Sequence, residues 1–190
     1  ADCRANLLHV TPSRRMLADG LAQYLVWKRW SAWVLVHGSN PADRAKAAAY
    51  RAAARKFGAG IEDVLEYEDA GGARRSDTGH VLVQRQIPGF MQAADAHDVV
   101  VVADESERFG VHLPYRVWDP RPVAGDAGLR AAAWHPAHEG FGATQLQRRF
   151  EAMTGRRMTD LDYESWVALR ALGEAVTRTG SADPDTVLGY

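Results

Sequence analysis

WSAWVLVHGSNPADRAKAAAYRAAARKFGAGIEDVLEY, residues 30–67, is the stretch that decides the fold. Trp30 to Gly38 reads as a buried strand: aromatic and β-branched residues crowd it and a glycine stops it. Asn40-Pro41 then starts a helix, because Asn caps a first turn and Pro lacks an N–H that would have no partner there. The helix runs to Phe57 and ends at Gly58, glycine being the usual residue where a helix closes on a left-handed backbone. Its Ala-rich face predicts close packing on a sheet. Ile61 to Tyr67 is a second strand.

The same alternation continues outward. Upstream, Thr11 caps a helix with Pro12 in its first turn, and Leu17, Leu21, Tyr24 and Lys28 follow at helical spacing, Leu25 widening the apolar face. Downstream, residues 69–97 resist assignment, since Gly71-Gly72 and Pro88-Gly89 break any regular pattern. Val99-Val100-Val101-Val102 is a third strand, uninterrupted in the manner of one covered on both faces. Residues 104–128 are rich in Pro and Gly yet hold Phe109, Tyr115 and Trp118, so they form an ordered loop region. Leu129 to Trp134 reads as another strand. Leu146, Phe150 and Met153 mark a helix closing at Gly155. Thr159 starts a long helix with Trp166, Leu169, Leu172 and Val176 on one side, and Asp183-Pro184 caps one more. That last helix starts so near Tyr190 that a longer parent protein is expected.

The fold class that follows is α/β, a three-layer parallel sheet with helices on both faces. Such sheets bind ligands beyond the carboxyl ends of their strands. That rule sets Gly38-Ser39-Asn40, Ala103-Asp104-Glu105 and Val117-Trp118-Asp119 at one rim.

The bulk chemistry removes several functions. Net charge is −1 and 46% of residues are hydrophobic, which fits a folded globular chain and selects neither nucleic acid nor an anionic membrane as partner. No run of about 18 apolar residues occurs, so membrane insertion is not expected. The start, Ala-Asp-Cys-Arg-Ala-Asn, lacks the basic and apolar regions of a secretory signal, as a mature or truncated chain also would. Cys3 is the only cysteine. It reads either as a free thiol or as half of a disulfide whose partner lies elsewhere, and it leaves no route to thiol catalysis or a Cys-based zinc site.

Catalytic motifs are absent. Gly58-Ala-Gly60 lacks a third glycine and precedes a strand, so it is no dinucleotide loop. No phosphate-binding P-loop and no Gly-x-Ser-x-Gly nucleophile elbow occurs. His135-Pro-Ala-His138-Glu139 would gather metal ligands, or an acid and a base, if helical, but Pro136 opposes a regular turn from His135. No cofactor and no metal is therefore expected, and the chain is read as not an enzyme. Asp104, Glu105 and Glu107 suit an ammonium group or a hard cation, or simply a helix start favoured by its dipole. Trp118-Asp119 offers a flat ring beside a carboxylate, suited to a small polar organic molecule, or a Trp packed under a Pro-rich loop.

Three segments carry a resemblance: DCRANLLHVTPSRRMLADGLAQYLVWKRW (2–30), VVVVADESERFGVHLPYRVWDPRPVAG (99–125) and AWHPAHEGFGATQLQRRFEAMTGR (133–156). With the order of elements, they resemble the second lobe of type I periplasmic solute-binding proteins, the class that includes branched-chain amino acid binders. More narrowly, they resemble the substrate-binding proteins of ABC transporters encoded with pyrroloquinoline-quinone-dependent alcohol dehydrogenase systems. LPYRVWDPRPVAG is the most specific stretch. The resemblance implies a longer, two-lobed periplasmic protein that closes on a small-molecule ligand and presents it to an ABC permease. It implies that residues 1–158 form the ligand-binding lobe and 159–190 the crossover back toward the first lobe. By matching positions, Ser39, Asn40, Asp104, Glu105, Phe109, Trp118 and Asp119 are expected to bind ligand. Amino acid binders of this class commonly carry an aromatic residue where this chain has His-Gly-Ser-Asn-Pro, which argues against an amino acid cargo.

Two other readings stay open. One is a ligand-sensing regulatory module of the same fold. The other is a cation-handling protein serving a quinone-dependent dehydrogenase, which predicts that Asp104, Glu105, Glu107 and Asp119 converge. An exposed apolar patch is also expected, and with it self-association.

Overall fold

The computed structural model describes residues 7–68 and 77–190, so Cys3 and the Gly71-Gly72 break lie outside the described residues. The chain divides into two compact units, Ser13–Ala131 and Ala132–Tyr190, the second including the described residues up to Pro12. The domain ends expected from the sequence, 158 and 159, fall inside the second unit.

The first unit runs α1 (Arg14–Trp27), β1 (Ala32–Gly38), α2 (Pro41–Phe57), β2 (Gly60–Tyr67), α3 (Asp77–Met91), β3 (Val99–Ala103), α4 (Leu113–Arg116) and β4 (Val123–Gly125). Its four strands pair in parallel in the order β2-β1-β3-β4. On one face Trp33, Leu35, Val99 and Val101 pack against Ala18, Leu21, Ala22 and Leu25 of α1 and Ala47, Tyr50, Ala53 and Ala54 of α2. On the other, Val34, Val36, Val100 and Val102 meet Ile87 and Met91 of α3 with Phe109 and Leu113. The fold is therefore the three-layer α/β sheet expected. Both faces of β1 and β3 are covered, which is why neither strand alternates polar and apolar residues. Burying each Val of β3 contributes about 1.5–3 kcal/mol.

The 30–67 reading holds closely at α2, which Asn40 precedes and Gly58 closes at φ 78. The first strand starts later than expected because Trp30 completes the end of α1. Its N–H donates to Leu25 O (2.9 Å), Arg29 N–H donates to Val26 O (2.8 Å), and Arg29 takes φ 63. Those are the bonds of a Schellman cap. At the other end of α1 the cap is Ser13, not Thr11: its hydroxyl accepts from Met16 N–H.

Three other expectations are corrected. Pro88-Gly89 does not break the chain but lies inside α3. Packing overrides the local cost, since Ile87 and Met91 beside it are buried in the core. The region taken as loop contains β4, whose three residues pair with β3 from Val100↔Val123 to Val102↔Gly125. Leu129 to Trp134 is not a strand. The chain loops round through Gly128 (φ 67), with Leu129 N–H donating to Val123 O, and forms one isolated parallel bridge, Ala124↔Leu129.

The second unit holds α5 (Ala143–Thr154), α6 (Asp160–Thr179) and α7 (Pro184–Leu188) around a small core of Trp134, Ala143 and Met158. Thr159 and Asp162 cap α6 reciprocally, and Asp183 caps α7. The apolar side of α6 stays open, with Leu169 70% and Leu172 54% exposed.

Candidate ligand-binding site

The carboxyl ends of β1, β3 and β4 place Ser39-Asn40, Asp104-Glu105-Ser106 and Asp126 at one rim. Asp104 is buried there, and its carboxylate shapes the loop that follows. One oxygen accepts from Arg108 N–H (2.8 Å) and Ser106 Oγ (3.2 Å), the other from Phe109 N–H (2.9 Å) and Gly110 N–H (2.6 Å). Asp104 N–H in turn donates to Asp126 (2.8 Å), tying the β3 end to the β4 end. A second buried carboxylate, Asp43 in the first turn of α2, accepts from Ser106 N–H (3.0 Å), Ser106 Oγ (2.8 Å) and Asn40 Nδ2 (3.3 Å). A Cβ on Gly38 would stand 2.3 Å from that carboxylate, so glycine lets β1 end this close to α2.

Charge completes the rim. The Lys46 ammonium, with a side chain only 8% exposed, sits 3.2 Å from Asp126 and 3.7 Å from Glu105. Arg14 grips Glu105 with two nitrogens at 2.7–2.9 Å, and this hydrogen bonding holds the Glu105 carboxyl below its ordinary range. Asp126 is pushed the other way: burial raises its carboxyl although Lys46 pulls it down. Burial likewise raises the Tyr50 phenol beneath Lys46. A buried ammonium survives only when carboxylates surround it, as here.

Above this frame lies a hollow of about 550 Å³ at the ends of β3 and β4, lined by Glu107, Val111, Tyr115, Asp126 and Arg130 among others. Glu107 enters it on a backbone with φ 52, a conformation uncommon outside glycine and often met at ligand sites. Tyr115 is 83% exposed, and no carboxylate of a described residue lies within ion-pair distance of Arg130. Among the described residues the hollow thus offers a cation without an ion-pair partner, acidic groups and an aromatic ring with Val111 beside it. Those suit a small organic molecule with a polar or anionic end and an apolar body.

The structure gathers Ser39, Asn40, Asp104 and Glu105 at this rim and sets Phe109 just beneath it, fully buried and stacked on Tyr67 at 4.6 Å. It does not bring Trp118-Asp119 there, which corrects their expected strand-end position. They lie on the segment leading into the amino-terminal start of β4, where Pro122 O accepts from Val100 N–H. Trp118 is 67% exposed and Asp119 pairs with Arg121 (2.9 Å). Asp126 occupies the strand-end position instead. Sequence reasoning missed Asp126 and Arg130 because it missed β4, and it left Tyr115, which lies in α4, in a loop region without a role. The short apolar run Val123-Ala124 before Gly125-Asp126 was the available signal. Of the carboxylates named for a cation, only Asp104 and Glu107 line one hollow: Asp104 is spent on backbone amides, Glu105 on Arg14 and Asp119 on Arg121. His135 Nδ1 accepts from Ala137 N–H (3.2 Å), while His138 stands near Phe141. Among the described residues no three His, Cys, Asp or Glu side chains are grouped to hold a metal ion.

A parallel α/β unit with its hollow at the strand ends has the build of a ligand-binding lobe. Solved structures with this fold are periplasmic binding proteins of ABC transporters, including the branched-chain amino acid type. A branched-chain amino acid ABC transporter periplasmic ligand-binding protein from Burkholderia xenovorans LB400 matches with TM-score 0.64 and 16% identity, over 91% of this chain and 49% of that one. An ABC transporter substrate-binding protein from Desulfitobacterium hafniense, in complex with Leu, matches with TM-score 0.60 and 19% identity, over 94% and 52%. A solute-binding protein of an R. palustris ABC transporter, in complex with benzoate, matches with TM-score 0.61 and 10% identity, over 98% and 53%. The chain spans about half the length of these structures. No protein-family model matches it, and no curated protein matches it by sequence. The fold is that of a type I periplasmic-binding-protein lobe.

Proposed function

We propose that this chain is the ligand-binding part of a periplasmic solute-binding protein, which delivers a small organic molecule to an ABC permease without transforming it. The observation that carries this reading is the strand-end hollow on a fold shared with such proteins over most of the chain. Arg130, Tyr115, Glu107 and Asp126 contact the cargo. Ser39, Asn40, Asp104, Glu105 and Phe109 hold the rim in shape, and Trp118 with Asp119 contributes from outside the hollow. The permease partner and the periplasmic location follow from the same likeness. Among the described residues no helix is long and apolar enough to cross a membrane.

A finer reading follows from the three segments quoted above. Their resemblance to substrate-binding proteins encoded with quinone-dependent alcohol dehydrogenases favours a cargo from alcohol oxidation: an alcohol, an aldehyde or a carboxylic acid. Calorimetric titration of the protein with small alcohols, aldehydes, acids, amino acids and divalent cations tests this. Saturable binding of one organic class, weakened roughly tenfold or more by Arg130→Gln or Tyr115→Ala, is expected. Binding of cations alone, of nothing in the panel, or with an affinity that neither variant changes, overturns the proposal. Unchanged affinity in Trp118→Ala removes that ring from the site.

A further inference from the structure

A second hollow, of about 590 Å³, lies wholly within the unit Ala132–Tyr190, and the strand-end site uses none of its residues. Aromatic rings dominate its wall. Trp134 stacks on Tyr163 (4.9 Å, 21°) and Tyr163 stacks on Trp166 (6.0 Å, 23°), giving a ladder of three nearly parallel rings. The ladder is pinned at its base. Trp134 Nε1 donates to Gln147 Oε1 (3.3 Å) and Trp134 N–H to Asp160 (2.6 Å). Phe141 lines the same hollow, and its geometry is the telling observation. Phe141 takes φ 53 and ψ 32, a left-handed backbone that an aromatic residue adopts only at a cost. It is also fully exposed, so burial within this chain does not repay that cost. Strain kept where packing does not reward it marks residues held for contact with something else.

The polar groups of the hollow are few and of one sign. Arg149 of α5 lines it, is exposed, and has no carboxylate of a described residue within ion-pair distance. His138 stands 6.5 Å from the Phe141 ring. Aromatic rings and, among the described residues, a guanidinium without an ion-pair partner line one hollow, a combination that suits a flat anion. Both faces of Tyr163 are taken by its neighbours, so the outer ring of the ladder, Trp166, and Phe141 stack on the anion's faces, and the guanidinium pairs with its carboxylate through two N–H donors.

From this geometry we propose that Trp134, Tyr163 and Trp166 with Phe141 and Arg149 form a second binding site, which takes a planar aromatic carboxylate. Phe141 closes over the outer face of the ligand. The site is independent of the strand-end hollow and of the transport reading.

The test is calorimetric titration of the protein with 2-naphthoate, with 2-naphthylmethanol as the neutral planar control and cyclohexanecarboxylate as the charged saturated control. Phe141→Gly suits it well, because glycine accepts the left-handed backbone and the fold is kept. Saturable 2-naphthoate binding is expected, roughly tenfold or more stronger than either control. It falls by a similar factor in Phe141→Gly and in Arg149→Gln, and is unchanged in Arg130→Gln at the strand-end hollow. Binding no better than the controls, or retained in both Phe141→Gly and Arg149→Gln, overturns the proposal. Loss in Arg130→Gln alone overturns it too, by moving the ligand to the strand ends.

Discussion

Asp104 does more for this rim as an acceptor than as a charge. Its two oxygens satisfy the N–H groups of Arg108, Phe109 and Gly110, the last two in a buried setting. Asp104→Ala leaves those amides without their acceptor, at about 1–3 kcal/mol for each buried one. A loss of about 3 kcal/mol is expected in urea unfolding, with Asp104→Asn losing less because its amide oxygen still accepts. Equal loss in both would mean that the charge, not the acceptor geometry, matters. Gly125 acts at the same scale. At φ +113 its Cβ would lie 2.2 Å from Val102 O, so β4 can pass this close to β3 only with glycine. Gly125→Ala should cost more than about 1 kcal/mol in the same measurement, because both the conformation and the space exclude it. Unchanged stability would show that β4 is not held in this register.

At the scale of elements, Lys46 joins α2 to the ends of β3 and β4 through Glu105 and Asp126, and Arg14 adds α1. Lys46→Met leaves the half-buried Asp126 without its cation, while Glu105 keeps Arg14, and should destabilise by about 3 kcal/mol at neutral pH. The sign with pH follows from Asp126. Its carboxyl is raised from the ordinary 3.8 by burial, and Lys46 opposes that rise. A raised carboxyl stabilises the fold below its unfolded value, and that contribution is lost as pH climbs through the folded value. Without Lys46 the folded value climbs further, so the variant should lose stability more steeply than the parent above about pH 4. Parallel curves in urea unfolding from pH 4 to 7 would show that Asp126 does not feel Lys46. Elements with chemical punctuation at both ends were legible in the sequence. Asn40-Pro41 and Gly58 framed α2, Thr159 and Gly155 framed the turn between α5 and α6, and Val99 to Val102 was unmistakable. β4 was not legible, because three residues give no period and the chain loops round through Gly128 at once. α3 was hidden because Pro88 argues against a helix that core packing nonetheless keeps. The site shared these fates: Asp104 was legible from its strand, Asp126 and Arg130 depended on an unread β4, and Tyr115 on the short α4 inside a region read as loop.

At the scale of the whole molecule, the proposed function puts ligand binding where the parallel strands end. Among the described residues, the two non-glycine ones in left-handed conformation that no helix cap explains, Glu107 and Phe141, each line a hollow. Arg29, the third, is explained by the end of α1. The central claim is that cargo binds at the strand ends of the parallel sheet, and amide hydrogen exchange tests it most directly. With the organic class identified by titration held at saturation, the account predicts slowed exchange over residues 104–115 and 126–130, with the amino-terminal approach to β4 unaffected. Slowed exchange confined to residues 133–166, or no change anywhere at saturation, would contradict it.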